Sequence, residues 1–594
     1  MFRIAKKWFL ASLVLFIVVA ALAVDRIPLP QSESVQGPTR PLTQASAISY
    51  LKARIEERME ASKIPGLAIA LVDGDKVIWA EGFGHTERDG EQKVTPDTLF
   101  SMQSISKHFT TLGFLRAVDK GLIQLDEHLT AVVPKFKVHS RLGDGQAETI
   151  TFRQLLSHWS GLPHEAPVGN NYDFRNTSFD DHIRSISDTW LKFPVGEHYS
   201  YSNLGVDLVG NALQIRTGKS FASYMKEEVF EPLGMNASTF DLQQAWQNPS
   251  VAKGHPGIGK GILPYIPMIP SGGMYTSVND VARCLMMELN GGKVNRRRFI
   301  SEKLQTEMYT PQFAAPGQRF GYGLGTASGA WHGVTAYNHG GGGFGYNTIM
   351  KWIPEYKIGV VILSNAINND VYQLADQALM LEQEVKTGIA PQKTQRPPGS
   401  AVGKPAVTLD ERVLRNLQGT YRGRFFMASF EVRDGSLHLN IGGKSTKLRA
   451  LGATEFSDDS SEDNNTWTFQ LDASGKPKGV FLLGDTGAEY VPLNDQPNED
   501  RGPDRAEWKA WTGVYAESIV GALWQPASRA YVATVGPEFK IEVALRNGYL
   551  YLIDGESALK LTEWKPDLFF TSVGDTVQFQ PGRAIVGNVA YLRK

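Results

Sequence analysis

The chain is nearly without cysteine: Cys284 is the only one in 594 residues. An internal disulfide is therefore excluded. Cys284 sits in the apolar pattern Val281–Leu289 with no histidine or aspartate motif beside it, so it reads as a packing residue rather than a nucleophile. Net charge is equally scarce. With 61 Lys and Arg against 62 Asp and Glu the formal charge is −1, and no basic face for nucleic acid is implied. The 12 histidines show no zinc-type spacing, so neither a metal nor another cofactor is called for. Long apolar runs are missing too, with one exception at the start. Arg3, Lys6 and Lys7 precede an apolar run from Trp8 to Val24 that closes on Ala21-Leu22-Ala23 before Asp25. That is the layout of a secretory signal, and its length is also close to the lower limit for a membrane span. Residues 1–24 are expected to act as a signal peptide or a membrane anchor, with the bulk of the chain outside the cytoplasm.

What is there begins with Ser104-Ile105-Ser106-Lys107, followed by an amphipathic run. A serine three residues ahead of a lysine on one helix face puts hydroxyl and amine within reach. Acyl transfer needs such a pair, because a serine hydroxyl is a poor nucleophile until a neighbour takes its proton. Ser49/Lys52 and Ser223/Lys226 have the same spacing, but both lie in amphipathic helical patterns without companions and read as solvated faces. Ser104 has company. Tyr201-Ser202-Asn203 lies between a turn and a helical pattern, where side chains can converge on a cleft. Asn338-His339-Gly340-Gly341-Gly342-Gly343 precedes two strand-like runs, Tyr346–Trp352 and Lys357–Leu363. A glycine run at a strand edge allows close backbone approach. A literal Lys386-Thr387-Gly388 ends a helical pattern (Val371–Val385) and is expected to be a decoy.

These three sets together resemble the penicillin-recognising serine hydrolases, in the branch of class C β-lactamases and their esterase and D-aminopeptidase relatives, which pair S-x-x-K, Y-x-N and K-T-G or H-x-G. Ile150–Pro163, Glu231–Met235, Ser271–Asp280 and Phe320–Gly325 add framing matches, so that the resemblance covers roughly residues 45–385. It implies Ser104 as nucleophile, Lys107 and Tyr201 as its proton-handling partners, and Asn203, His339, Gly341 and Gly342 around the substrate. The main-chain N–H groups of Ser104 and Gly342 would receive the oxyanion. An ordinary lysine or tyrosine holds its proton at neutral pH, and the sequence leaves open which of Lys107 and Tyr201 is the base. His108, His158, His164 and His198 lie near the motifs and receive no role; Trp159 and Tyr199 could line the cleft.

Strand-like Leu67–Val72 and Lys76–Glu81 flank a D-G-D hairpin signal, helical patterns fill the middle, and strands return near Tyr346–Leu363. The expected fold is α+β and beta-lactamase-like: an antiparallel sheet built from both ends of residues 47–386, with a helical lobe between. Residues 25–46 read as a spacer and 387–407 as a linker. Beyond it the period changes to two, and the segment is internally duplicated. Gly419-Thr420-Tyr421 matches Gly513-Val514-Tyr515, Arg433–Leu439 matches Arg546–Leu552, Lys447-Leu448 matches Lys560-Leu561, and Phe456 matches Phe570. Two small all-β, barrel-like modules are expected at 408–495 and 505–594, a layout similar to D-aminopeptidases.

The function expected is an exported hydrolase, in the periplasm or outside the cell, that forms an acyl-enzyme on Ser104 and cleaves amides or esters of small molecules or short peptides. Because His339 and Gly340 replace the ammonium and hydroxyl of K-T-G, substrates carrying a carboxylate at that spot should be handled poorly. The alternative from another class is a protein that binds cell-wall peptides or β-lactams without turnover.

Overall fold

The computed structural model describes residues 38 and 40–593, apart from 172–176, 258, 315–317, 392–405, 424–426, 442–443, 459–465, 484–487, 494–504, 518–522, 526–529, 533–539, 547, 555–556 and 572. The expected leader, most of the spacer and most of the linker lie outside the described residues. Among the described residues no helix is long and apolar enough to cross a membrane.

Helix α1 (Gln44–Ser62) starts at Thr43, whose hydroxyl accepts from the Ser46 N–H in a reciprocal capping box. Strands β1 (Gly66–Asp73) and β2 (Lys76–Gly84) form the expected hairpin. The chain then leaves for the helical lobe and returns as β3 (Gly321–Tyr322), β4 (Ala327–Trp331), β5 (Val334–Gly343), β6 (Tyr346–Ile353) and β7 (Ile358–Ser364). The sheet order is β2-β1-β7-β6-β5-β4-β3, with every neighbour antiparallel. Strand β1 shows why the sheet is buried on both faces. Leu67, Ile69 and Leu71 pack towards α1 and the closing helix Asp370–Thr387, whereas Ala68, Ala70 and Val72 face the lobe. Alternation with period two sends one set to each core.

The return to strand comes earlier than the sequence suggested. The glycine run is not a strand edge leading into the sheet but part of β5, paired with β6 from Gly343↔Tyr346 to Tyr337↔Trp352. Glycine has little strand propensity of its own, so the local pattern hides this strand. Packing explains it: a Cβ on Gly341 would stand 2.1 Å from the Met102 carbonyl oxygen and 2.4 Å from Thr348 Oγ1. No larger residue fits where β5 passes the turn that carries Ser104.

The two C-terminal modules follow the duplication closely. In each, a short helical turn leads into a Gly-x-Tyr strand, and the tyrosine hydroxyl donates to the carbonyl four residues earlier: Tyr421 to Leu417 at 3.1 Å, Tyr515 to Trp511 at 2.7 Å. The second module is a closed barrel of eight strands. In it the long strand Ser557–Lys565 pairs with Tyr549–Asp554 through its first half and with Leu568–Thr571 through its second. The first module bends the equivalent strand at Leu448: Lys444–Lys447 pairs with Ser436–Ile441, and Arg449–Ala450 pairs with Glu455–Ser457. Its single sheet thus turns back on itself around Tyr421, Phe430, Trp467 and Phe469.

Candidate active site

Ser104 lies in a single 3-10 turn, Gln103–Ile105, that runs straight into helix α2 (Ser106–Asp119). Gln103 holds a left-handed φ of 52°, unusual for a residue with a side chain, and Gln103 Nε2 donates to Ser101 Oγ at 2.7 Å. Neighbouring bonds over-determine the turn: Thr348 Oγ1 donates to the Met102 carbonyl at 3.0 Å, and the Met102 N–H to the Met274 carbonyl at 2.8 Å. Such strain persists only where surroundings enforce it.

Lys107 follows one turn later and is fully buried. Its Nζ donates to Ser104 Oγ at 3.2 Å and to the Ser271 carbonyl at 2.8 Å, and stands 4.9 Å from the Tyr201 ring centroid. Ser271 is held in turn. Asp207, on helix α3 (Asn203–Thr217), accepts from the Ser271 N–H at 2.9 Å and from its hydroxyl at 3.1 Å. Asp207 also meets His182 Nε2 at 3.0 Å. Burial alone would push the His182 imidazolium down, but the Asp207 carboxylate and the Val168 carbonyl outweigh it and hold His182 above its ordinary value.

The loop carrying Tyr201 and Asn203 is zipped onto residues 158–165. The Ser200 N–H donates to the His158 carbonyl at 2.7 Å, the Ser202 N–H to His158 Nδ1 at 3.1 Å, and the Asn203 N–H to the His164 carbonyl at 3.0 Å. Ser202 Oγ adds a bond to Pro163 O at 2.8 Å while capping α3 by accepting from the Gly205 N–H at 3.1 Å. His158, assigned nothing from sequence, therefore orients the Tyr201 loop. Its ring stacks obliquely on Tyr201 at 4.2 Å and on Tyr322 at 4.7 Å between centroids.

His339 closes the third side. Its Nε2 is 2.9 Å from the Tyr322 hydroxyl and its Nδ1 2.8 Å from the Gly340 carbonyl. A carbonyl only accepts, so Nδ1 carries a proton. Tyr322 stands 6.3 Å from Tyr201 by ring centroids and so joins the tyrosine to the histidine. Gly341 and Gly342 follow His339 on β5, and Gly341 touches the Met102 carbonyl beside Ser104. The three sets read from the sequence thus meet around one place. The copy Lys386-Thr387-Gly388 does not: it ends the closing helix, with Gly388 as a left-handed cap and Lys386 paired with Asp73.

Sequence reasoning missed several neighbours. Tyr322 appeared only as part of a framing match, and Ser271 likewise. Glu165 carried no signal beyond its place after Gly161-Leu162-Pro163-His164. It is buried, accepts from Asn171 Nδ2 at 2.6 Å and from Asn203 Nδ2 at 3.2 Å, and lies 3.1 Å from His164 Nδ1. Burial pushes its carboxyl up to about 7, although the Asn171 bonds and the charge of Lys107 pull the other way.

Among the described residues one set has metal-ligand chemistry: His108, Cys284 and Glu288, all buried in the core behind Lys107. Their ligand atoms already face one another and their surroundings. His108 Nδ1 meets Thr326 Oγ1 at 2.9 Å, His108 Nε2 lies 3.1 Å from Glu288, and the Tyr309 hydroxyl donates to Glu288. Burial raises Cys284 well above the ordinary thiol value, so it packs as a protonated thiol.

The beta-lactamase family profile matches residues 51–384, more than half of the chain. The chain belongs to the beta-lactamase family. Members of the beta-lactamase family are generally serine hydrolases. Protein flp of Staphylococcus aureus (strain MRSA252) is 30% identical over 246 residues, which is 40% of this chain and 48% of that protein. Beta-lactamase-like protein 4 of Dictyostelium discoideum is 26% identical over 350 residues, 54% of this chain and 60% of that one. The chain spans about half the length of the curated relatives it matches. The octameric penicillin-binding protein homologue from Pyrococcus abyssi superposes with a TM-score of 0.50 at 24% identity, covering 75% of this chain and 99% of its own. SurE, solved with D-Leu, gives 0.51 at 19% identity, covering 76% and 100%. Both superpositions show the shared beta-lactamase-like fold.

Proposed function

We infer that the protein is an exported serine hydrolase that forms an acyl-enzyme on Ser104 and cleaves esters or amides of small molecules or short peptides. The observation that carries this reading is the 3.2 Å approach of the buried Lys107 Nζ to Ser104 Oγ. In the first step Ser104 Oγ bonds to the substrate carbonyl carbon, and its proton passes to the base, either Lys107 as the neutral amine or Tyr201 as the phenolate. The carbonyl oxygen takes the negative charge, near the main-chain N–H groups of Ser104 and Gly342, where the start of α2 adds partial positive charge. The tetrahedral centre then collapses, the C–N or C–O bond breaks, and the stored proton goes to the leaving amine or alcohol. Water repeats the sequence to free the acid. Export rests on the apolar segment at the start of the chain.

The third wall of the site supports a substrate class. Nδ1–H of His339 donates to the Gly340 carbonyl and Nε2 lies against the Tyr322 hydroxyl, so both ring nitrogens are engaged within the protein. The third motif then lacks the permanent ammonium of K-T-G, and losing a charge-assisted bond to an anion costs roughly 1.5–3 kcal/mol. Esters, amides and peptides with an N-terminal D-residue fit better than β-lactams or free C-terminal peptides. A fluorophosphonate probe should label the wild type and not Ser104→Ala. A p-nitrophenyl ester and a D-alanyl anilide should turn over faster than nitrocefin. Fast nitrocefin hydrolysis would remove the substrate claim; a folded wild type that takes no label would favour the binding-protein alternative.

A further inference from the structure

The wall of the site made by residues 165–171 is gripped from two sides. On the inner side Glu165 accepts from Asn203, and Asn171 returns two bonds to Glu165, from its side chain at 2.6 Å and its main chain at 3.4 Å. Asn171 also lies beside Gly343 at the end of β5, since a Cβ there would be 3.9 Å from Asn171 Oδ1. On the outer side the contacts come from the last turn of the C-terminal barrel, some 400 residues away in sequence. Asn588 Nδ2 donates to the Glu165 carbonyl at 2.9 Å and to Thr189 Oγ1 at 2.9 Å, while its own carbonyl lies 3.5 Å from Asn170 Nδ2. Glu165, Asn170 and Thr189 are 2%, 4% and 0% exposed, so the half-buried Asn588 bonds to groups that are themselves buried.

The turn is shaped for the task. Gly587 and Asn588 have φ values of 52° and 76°, left-handed conformations that glycine and asparagine accept and most residues resist. The barrel is held at this spot by other contacts besides. Gly574 lies against the Lys192 carbonyl, where a Cβ would stand 2.2 Å away, Lys192 pairs with Asp575 at 2.8 Å, and Arg141 covers Phe570 at 4.6 Å. None of these reaches Glu165. Among the described residues, Asn588 connects the barrel to the residue that bonds Asn203.

We propose that Glu165 is a positioning residue for Asn203 and that Asn588 of the C-terminal barrel fixes the Glu165 main chain, so that the second β module completes the site. The inference rests on Ser104 being the nucleophile, and it gives the barrel a part in the chemistry besides any role in binding. Asn588→Gly keeps the turn and deletes the amide; Asn588→Asp keeps the turn and sets an acceptor against the Glu165 carbonyl. Asp575→Asn loosens the same docking surface without touching Glu165.

The test uses the full-length chain and three readouts: fluorophosphonate labelling, turnover of a p-nitrophenyl ester, and amide exchange over residues 165–171. Both Asn588 variants should lower kcat roughly tenfold with KM within about twofold, and should speed exchange at 165–171. Asp575→Asn should leave both as in wild type. Glu165→Ala should lose kcat like the Asn588 variants, and Glu165→Gln, which keeps an acceptor towards Asn203, should recover most of it. Wild-type kcat and exchange in both Asn588 variants would overturn the proposal. An equal loss in Asp575→Asn would overturn it as well, because docking in general would then be responsible. Should the wild type take no label, the nucleophile reading fails and the catalytic part of this proposal with it. Exchange would then still decide whether Asn588 clamps the loop.

Discussion

At the scale of the residue, a buried charge is informative by what it costs. Glu165 is held near 7 by burial, against an ordinary value of 4.5, while Lys107 and His182 oppose the shift through their charges and His164 stands 3.1 Å away. A carboxyl whose folded value lies above its unfolded one favours folding while protonated. Its contribution is complete below about 4.5 and is lost as pH rises through about 7. Glu165→Gln cannot ionise, so it should gain stability relative to wild type between pH 5 and pH 8, by up to about 3 kcal/mol. Urea unfolding at the two pH values measures this; an equal difference at both would show that Glu165 does not titrate in that window.

At the scale of the element, β5 is where local preference and tertiary need disagree. Four successive glycines, Gly340 to Gly343, form a poor strand in isolation, yet the strand must run against the Met102 carbonyl and Thr348. Gly341→Ala would press a methyl group onto a main-chain oxygen that cannot move away, so both the strand and the Ser104 turn must shift. The expected cost is about 1–3 kcal/mol in urea unfolding together with loss of fluorophosphonate labelling. Full labelling in Gly341→Ala would mean that β5 can move without disturbing Ser104. The neighbouring loops show the same logic with hydrogen bonds in place of volume, since the 158–165 and 200–203 segments are joined main chain to main chain.

At the scale of the whole molecule, the beta-lactamase-like region and the C-terminal barrel meet through close contacts. Gly574 is one of them: a Cβ would meet the Lys192 carbonyl at 2.2 Å, in a backbone with φ +83°. Gly574→Ala should weaken this docking and separate thermal unfolding into an earlier barrel transition and a later one of the beta-lactamase-like region. Amide exchange at residues 188–192 should rise with it, and an unchanged single transition would show that the barrel is anchored elsewhere.

The sequence by itself determined the hydrolase-type motifs, the hairpin of β1 and β2, the closing helix and the duplicated β modules. Each of these is written in short-range spacing: three residues from Ser104 to Lys107, two along a strand, about a hundred between repeats. It also marked Lys386-Thr387-Gly388 as a helix end. Tertiary structure alone decided that Tyr322 joins Tyr201 to His339, that Asp207 fixes the Ser271 carbonyl bonded to Lys107, and that Asn588 reaches Glu165. The physical reason is that a lone tyrosine, aspartate or asparagine has no periodicity to betray it. Its role exists only once distant backbone segments bring a partner within about 3 Å, the range at which a hydrogen bond has energy.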